Sequence, residues 1–270
     1  EIHERLVGSE MCIRDSTVTW REKQLNTSRG TLITEGADAG GVIVSSRSSL
    51  SNLCQILEKV TAVSGTARAL KPKGVGDTFD AEVSDRLVEL KRDLEWYFLN
   101  GTKTVESDGT PRQMNGLVNL VNADNVITTA GALTEDHFLD AFEKMWDHGA
   151  QGDYYAFVNS TQKRAINALA KAGNNVRWTM DNGTVTNALG IGVSKIVSDF
   201  GTINLVLNRH MDVNTILALD LEAVEIAELR PTFYEDLPKA GDYYKGHIIN
   251  ESTIKLLNSY AGAKIVVTGA

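Results

Sequence analysis

The sequence predicts an α+β fold, and three observations lead there. Two amphipathic helical patterns, "GDTFDAEVSDRLVELKRDLEWYFLNG" and "LTEDHFLDAFEKMWDHG", stand well apart in the chain. Much of the rest reads as strands paired in antiparallel hairpins. No regular strand–helix–strand rhythm and no internal repeat runs through it. A chain of 270 residues has room for one large or two modest domains.

The elements follow in order. "TVTWRE" alternates Val18 and Trp20 with polar residues, as a half-buried strand does. "QLNTSRGTLITEGADAGG" holds too few apolar residues for a core and reads as an extended, exposed excursion. "SLSNLCQILEKVTAVSGTARAL" is ambiguous. Leu50, Leu53, Ile56, Leu57 and Val60 sit at helical spacing, whereas the β-branched tail favours a strand. The next stretch is a long helix whose Leu87, Leu90, Leu94, Tyr97 and Phe98 form one apolar stripe, with Leu87, Leu90, Leu94 and Phe98 as its core-facing set. Asp77 or Asp80 caps it, Gly101 ends it, and Glu82–Arg86 and Lys91–Glu95 are candidate pairs on its wet side. About twenty residues of helix run ~30 Å, the width of a small domain.

"SDGTPRQMNGLVNLV" is a loop leading into a short apolar segment. The second helix starts at Thr134, turns Phe138, Phe142 and Met145 inward, and stops at Gly149. "DYYAFVNS" is a strand, and "STQKRAINALAKAG" a third helix with Ser160 or Thr161 at its cap. Asp-Asn-Gly in "WTMDNGTVT" marks a hairpin turn. Ser194–Met211 reads as two strands folded about Asp199-Phe200-Gly201, ending on the polar corner Asn208-Arg209-His210. After an apolar strand, Val224 and Ile226 alternate with polar residues until Pro231 ends the regularity. The tail supplies two more strands.

Composition narrows the function. No window approaches eighteen uninterrupted apolar residues, so no helix is predicted to span a membrane. The formal charge is −8, and no Lys/Arg run exceeds the isolated Lys91-Arg92, which argues against a tight grip on DNA or an anionic membrane. Two cysteines, Cys12 and Cys54, make neither a disulfide framework nor a zinc site, and Cys54 among Leu53, Ile56 and Leu57 reads as a small buried hydrophobe. Glu1–Ser16 shows no secretory pattern, and "GSEMCIRDS" resembles translated read-through of a sequencing adapter. That segment is expected to be a non-native leader that packs against nothing.

Catalytic constellations are missing from the string. The five histidines, His3, His137, His148, His210 and His247, have no metal-ligand spacing. "GVG" and "GIG" lack a third glycine, and no phosphate loop or GxSxG elbow occurs. Neighbouring acids such as Glu135/Asp136 and Glu235/Asp236 point apart on a helix or strand and make poor acid–base pairs. No cofactor is expected.

Six blocks, taken together and in order, are specific: "AVSGTARAL", "ELKRDLEWYFLNG", "RQMNGL", "STQKRAINALA", "SDFGTINLVLNRHM" and "LRPTFYEDLPKAGDYYKGHIINESTIKLLN". They resemble the corresponding blocks of tailed-bacteriophage major capsid proteins, which have the Hong Kong 97 shell fold. The resemblance covers Thr17 to Gly269. It implies an extended loop over 17–70, a peripheral domain with the spine helix over 71–133, an axial domain over 134–220 and closing peripheral strands over 221–270. It also implies that Ser49–Thr66 is strand. The work implied is self-assembly into pentamers and hexamers of an icosahedral shell enclosing double-stranded DNA. Scaffold, portal and decoration proteins are the further partners. Under the resemblance, Arg29, Glu35, Arg47, Arg92, Arg112, Arg209 and His210 are candidate subunit contacts, and the Asn208–His210 corner is a joint between subunits. Family members carry an arm before Thr17 that lies along adjacent subunits; here the leader stands in its place. Two alternatives stay open: an encapsulin-type compartment shell with the same fold, and a small-molecule enzyme built around Asp199, Arg209 and His210.

Overall fold

The structure is a computed structural model that describes residues 16–24, 32–36, 38, 41, 45–70, 77–150, 153–172, 194–198, 200–239 and 241–268. Its strands are β1 (Thr17–Gln24), β2 (Ser46–Leu53), β3 (Gln55–Ser64), β4 (Val126–Thr129), β5 (Asp153–Val158), β6 (Lys195–Ser198), β7 (Gly201–Leu207), β8 (Thr215–Leu219), β9 (Val224–Leu237), β10 (Tyr243–Leu256) and β11 (Gly262–Val267). The α-helices are α1 (Gly65–Ala69), α2 (Thr78–Asn100), α3 (Leu117–Leu120), α4 (Glu135–Asp147) and α5 (Ser160–Ala172). The fold is α+β, as the sequence predicts. No helix among the described residues is long and apolar enough to cross a membrane.

The strands make three sheets. β1 and β2 form an antiparallel ribbon in which Thr17 pairs Leu53 and Gln24 pairs Ser46. β3, β10 and β9 form a second sheet in that order, and β4-β11-β8-β5-β7-β6 a mixed third one. Ser49–Thr66 is therefore almost wholly strand. Local pattern could not decide this, because the helical spacing of Leu50 to Val60 and the β-branched tail compete. The pairing of β2 with β1 and of β3 with β10 settles it.

The spine helix α2 lies on the three-stranded sheet. The Asp77 carboxylate accepts from the Phe79 N–H and caps the helix, with Asp80 in the first turn. Leu90 and Leu94 are buried with Ile248 of β10, and Leu57, Val83, Leu87 and Phe98 pack around them. Burying one leucine there contributes ~2 kcal/mol relative to leaving it in water. Glu82 pairs with Arg86 at 3.2 Å, as expected. Glu95 does not reach Lys91 but turns to the corner described below. At the helix end, a Cβ on Gly101 would stand 2.6 Å from the Met114 carbonyl, so only glycine lets the returning loop pack there.

The six-stranded sheet carries the largest core. Phe138, Ala141, Phe142 and Met145 of α4 pack on Tyr154, Ala156, Ile216, Ala263 and Ile265, and Phe142 stacks on Tyr154 with ring centres 5.7 Å apart. Thr134 caps α4, and Gly149 takes a positive φ of 84° just past its end.

Several expectations need correction. Pro231 does not end its strand: β9 runs through it, on an edge where the ladder to β10 is irregular and no N–H is needed. Ile226 is 55% exposed, while Ala227 turns inward. The cap of α5 is Asn159, whose side chain accepts from the Thr161 N–H at 3.4 Å, rather than Ser160 or Thr161. Segment 221–270 feeds two sheets, since β10 backs the spine while β11 lies between β4 and β8 in the six-stranded sheet. The Asp-Asn-Gly turn and residues 1–15 of the expected leader lie outside the described residues. Ser16, the last leader residue, does make a contact: its carbonyl accepts from the Cys54 N–H at 2.7 Å.

Candidate subunit-contact surface

The corner after β7 faces its own chain. The Asn208 N–H donates to Val158 O at 2.9 Å, and its side-chain amide donates to Glu95 Oε1 on the spine at 2.7 Å. Its side-chain oxygen accepts from the His210 N–H at 2.7 Å, which ties the turn into a fixed shape. Asn100, the last residue of α2, donates to the His210 carbonyl at 2.6 Å, and Asn159 donates to the carbonyl of buried Met211 at 2.8 Å. Asn208 and Asn100 thus fasten the six-stranded sheet to the end of the spine, and Asn159 braces the same corner from the end of β5. The corner is a joint within the subunit, and Arg209 alone points outward from it, exposed and with no ion pair among the described residues.

Beside Asn208 lies a shallow cleft of about 300 Å³, walled by Leu94, Phe98, Leu99 and Phe157 with Lys91 and Glu95 at its rim. A larger cleft of about 680 Å³ opens where the start of α2 meets the β9–β10 turn. There Arg68 is paired with Asp77 at 2.5 Å and lies over the Tyr244 ring, 4.5 Å from its centre. Burial and a hydrogen bond to Asp236 push the Tyr234 hydroxyl up to about 12. Arg209 and His210 line neither cleft. Asp199, the third member of the enzyme alternative, lies outside the described residues.

The other expected contact residues divide. Arg29 lies outside the described residues. Glu35 is exposed, in a stretch where Leu32 is 98% and Ile33 67% exposed. Arg47 is exposed on β2, directly opposite Lys23 of β1, and neither forms an ion pair among the described residues. Like charges facing across a ribbon repel, so this pair favours an acid arriving from outside. Arg92 is 60% exposed with a loose 3.7 Å contact to Asp93. Val88, 67% exposed, and Trp96, 42% exposed, lie one turn either side of it on the same face of the spine.

Arg112 is different. Its guanidinium donates to Cys54 O at 2.7 Å, to Glu106 at 3.1 Å and to buried Glu251 at 2.5 Å, so it is committed inside the subunit. Cys54 itself is buried, as expected, and burial pushes its thiol up. Glu251 and Asn52 carry no sequence signal of their importance, and Asn208 stands out only as part of a polar corner, with nothing in the string to show that it reaches Glu95. Each sits in an ordinary strand or turn pattern, and the partners that tie it to other elements are far away in the chain.

A family model described as SU10 major capsid protein matches residues 5–269. The match thus begins inside the segment that reads as a foreign leader. No curated protein matches by sequence. Among solved structures, the capsid of a native GTA particle is 12% identical, with 94% of this chain and 86% of that one covered at a TM-score of 0.69. A chain from Microbacterium phage Oxtober96 is 18% identical, with 93% and 86% covered at 0.60. The SrpI encapsulin of Synechococcus elongatus is 11% identical, with 92% and 81% covered at 0.57. At these identities the likeness is one of fold.

Proposed function

This chain belongs to the SU10 major capsid protein family, and from that premise we propose how it acts. It is a major capsid protein of the bacteriophage shell class, with the Hong Kong 97 type of fold. Its copies associate into rings of five and six that close into an icosahedral shell around double-stranded DNA. Assembly takes place in the host cytoplasm, and scaffold, portal and decoration proteins are the partners that such a shell takes. The role is structural; no substrate bond is made or broken.

The observation that carries this reading is a family match over nearly the whole chain. The geometry supports it in two places. A two-stranded ribbon carries an uncompensated basic pair, Lys23 and Arg47, on strands with exposed polar faces. The spine shows Val88, Arg92 and Trp96 in one stripe, and Arg209 projects from the corner that is bonded to Glu95 and Asn100, on either side of Trp96. Exposed aromatic and arginine side chains of this kind are the residue types on which subunit contacts concentrate their energy. Rings of heterologous contacts suit such separate edges, because each subunit offers one surface and receives another.

Arg92, Arg209, Arg47 and Glu35 are the proposed contacts between copies. An encapsulin shares the fold, but the family match favours the phage head protein. Negative-stain microscopy of the expressed chain tests the reading. Closed particles of uniform size support it, and nuclease-protected DNA inside phage-derived particles separates a head from an enzyme-loaded compartment. A chain that stays monomeric at every concentration and ionic strength tried sinks it.

A further inference from the structure

The β1–β2 ribbon returns to the body of the subunit at Cys54, the one residue between β2 and β3. Its peptide groups are held on both sides. The Cys54 N–H donates to Ser16 O at 2.7 Å, and the Cys54 carbonyl accepts from Arg112 Nε at 2.7 Å. Arg112 comes from the loop after α2, a small hairpin closed by bridges between Thr104 and Gln113 and between Ser107 and Thr110. One of its remaining nitrogens reaches exposed Glu106, and the other reaches Glu251 on the central strand β10.

Glu251 is the anchor of this arrangement. Its side chain is 5% exposed, and its second oxygen accepts from Arg230 Nε at 2.7 Å. The ladder between β9 and β10 shifts register at Glu251, and that irregularity sets Arg230 opposite it. Two guanidinium groups and two carboxylates balance in charge, which a buried carboxylate requires. Next to this cluster Asn52, fully buried, satisfies its whole side chain. Its amide donates to Ile254 O at 2.8 Å and Asn115 O at 2.9 Å, and its oxygen accepts from the N–H groups of Leu53 and Asn115.

A two-stranded ribbon has little stability of its own. Its direction is set where it touches the body: Trp20 Nε1 donates to Leu256 O at 2.9 Å and Glu22 accepts from the Ser259 N–H at 2.6 Å along β1, and at the return point a charged donor with a fixed position grips the Cys54 carbonyl. We infer that the Arg112–Glu251 pair is a positioning device: it fixes the direction in which the ribbon leaves the subunit, and through it the angle at which copies meet. The first half is a property of the isolated subunit. The second half rests on the shell reading above. Arg112 thus acts on assembly from inside, without touching a neighbour.

Amide hydrogen exchange on the unassembled chain, followed by microscopy of assembled particles, tests this with Glu251→Gln and Arg112→Lys. Asp108→Asn, at an exposed carboxylate on the tip of the same small hairpin and outside the cluster, is the control. Expected in both variants is exchange about tenfold faster in β1 and β2, with α2 and the six-stranded sheet at wild-type rates, and a broader spread of particle diameters. The control should match wild type in both readouts. Ribbon exchange at the wild-type rate in both variants overturns the proposal. So does acceleration spread over the whole chain, or failure of both variants to fold, since either shows a core role instead. Faster ribbon exchange with no particles from any chain, wild type included, leaves the positioning device standing and removes the shell reading.

Discussion

The side-chain amide of Asn208 meets the carboxylate of Glu95 at 2.7 Å, where the first residue after β7 touches the spine helix. Asn208 is only 8% exposed, and the same side chain holds the His210 N–H. Replacing it with alanine strips Glu95 and the turn of their partner in a half-buried place. Asn208→Ala should therefore lower the stability of the subunit by about 1–3 kcal/mol, read as a lower midpoint in urea with an unchanged slope. An unchanged midpoint would show that the two bodies are held together elsewhere.

Arg209 sits in that corner with the opposite role. It is exposed and makes no ion pair among the described residues, so the fold does not depend on it. Arg209→Ala should reduce the yield of closed particles while the melting temperature of the free subunit stays within about one or two degrees. Particle yield equal to wild type would remove Arg209 from the contact surface.

Two substitutions two residues apart on the spine separate folding from contact. Leu90 is fully buried against Ile248, whereas Val88 is 67% exposed. Leu90→Asp buries an unpaired charge and should leave no cooperatively folded subunit, as judged by circular dichroism. Val88→Asp should fold normally and assemble poorly. A folded Leu90→Asp chain would mean that the helix does not rest on the sheet as described.

Tyr234 gives a pH signature. Its hydroxyl, raised to about 12 by burial and by the hydrogen bond to Asp236, holds its proton more tightly in the folded chain than in the unfolded one, where the value is 10.0. The stabilisation is fully present below the unfolded value and is lost as pH rises through the folded one. The stability difference between wild type and Tyr234→Phe should stay level up to that lower value and shrink between it and about 12. An alkaline absorbance titration in which all seven tyrosines ionise together near their ordinary value would contradict it.

The elements whose period shows within a dozen residues could be read from the string. The stripe of Leu87, Leu90, Leu94 and Phe98, the cap at Thr134 and the alternation of Val18 and Trp20 are such cases, because each reports a local face toward a core. Pattern failed where a distant partner decides. Leu50 to Leu53 became strand because β1 supplies the hydrogen bonds and Ile56 to Val60 because β10 does, and β9 passes Pro231 because an edge tolerates a missing donor. Arg112 could be picked out as important, but its destination could not: Glu251 is far off in the chain.

Sequence alone, then, determined the class of fold, the spine and, through ordered blocks of residues, the family. Tertiary structure decided which polar residues face inward. Apolar periodicity repeats along the chain and is visible locally, whereas the hydrogen bond from Asn208 to Glu95 and the ion pair from Arg112 to Glu251 exist only once folding has brought remote segments within 3 Å of each other.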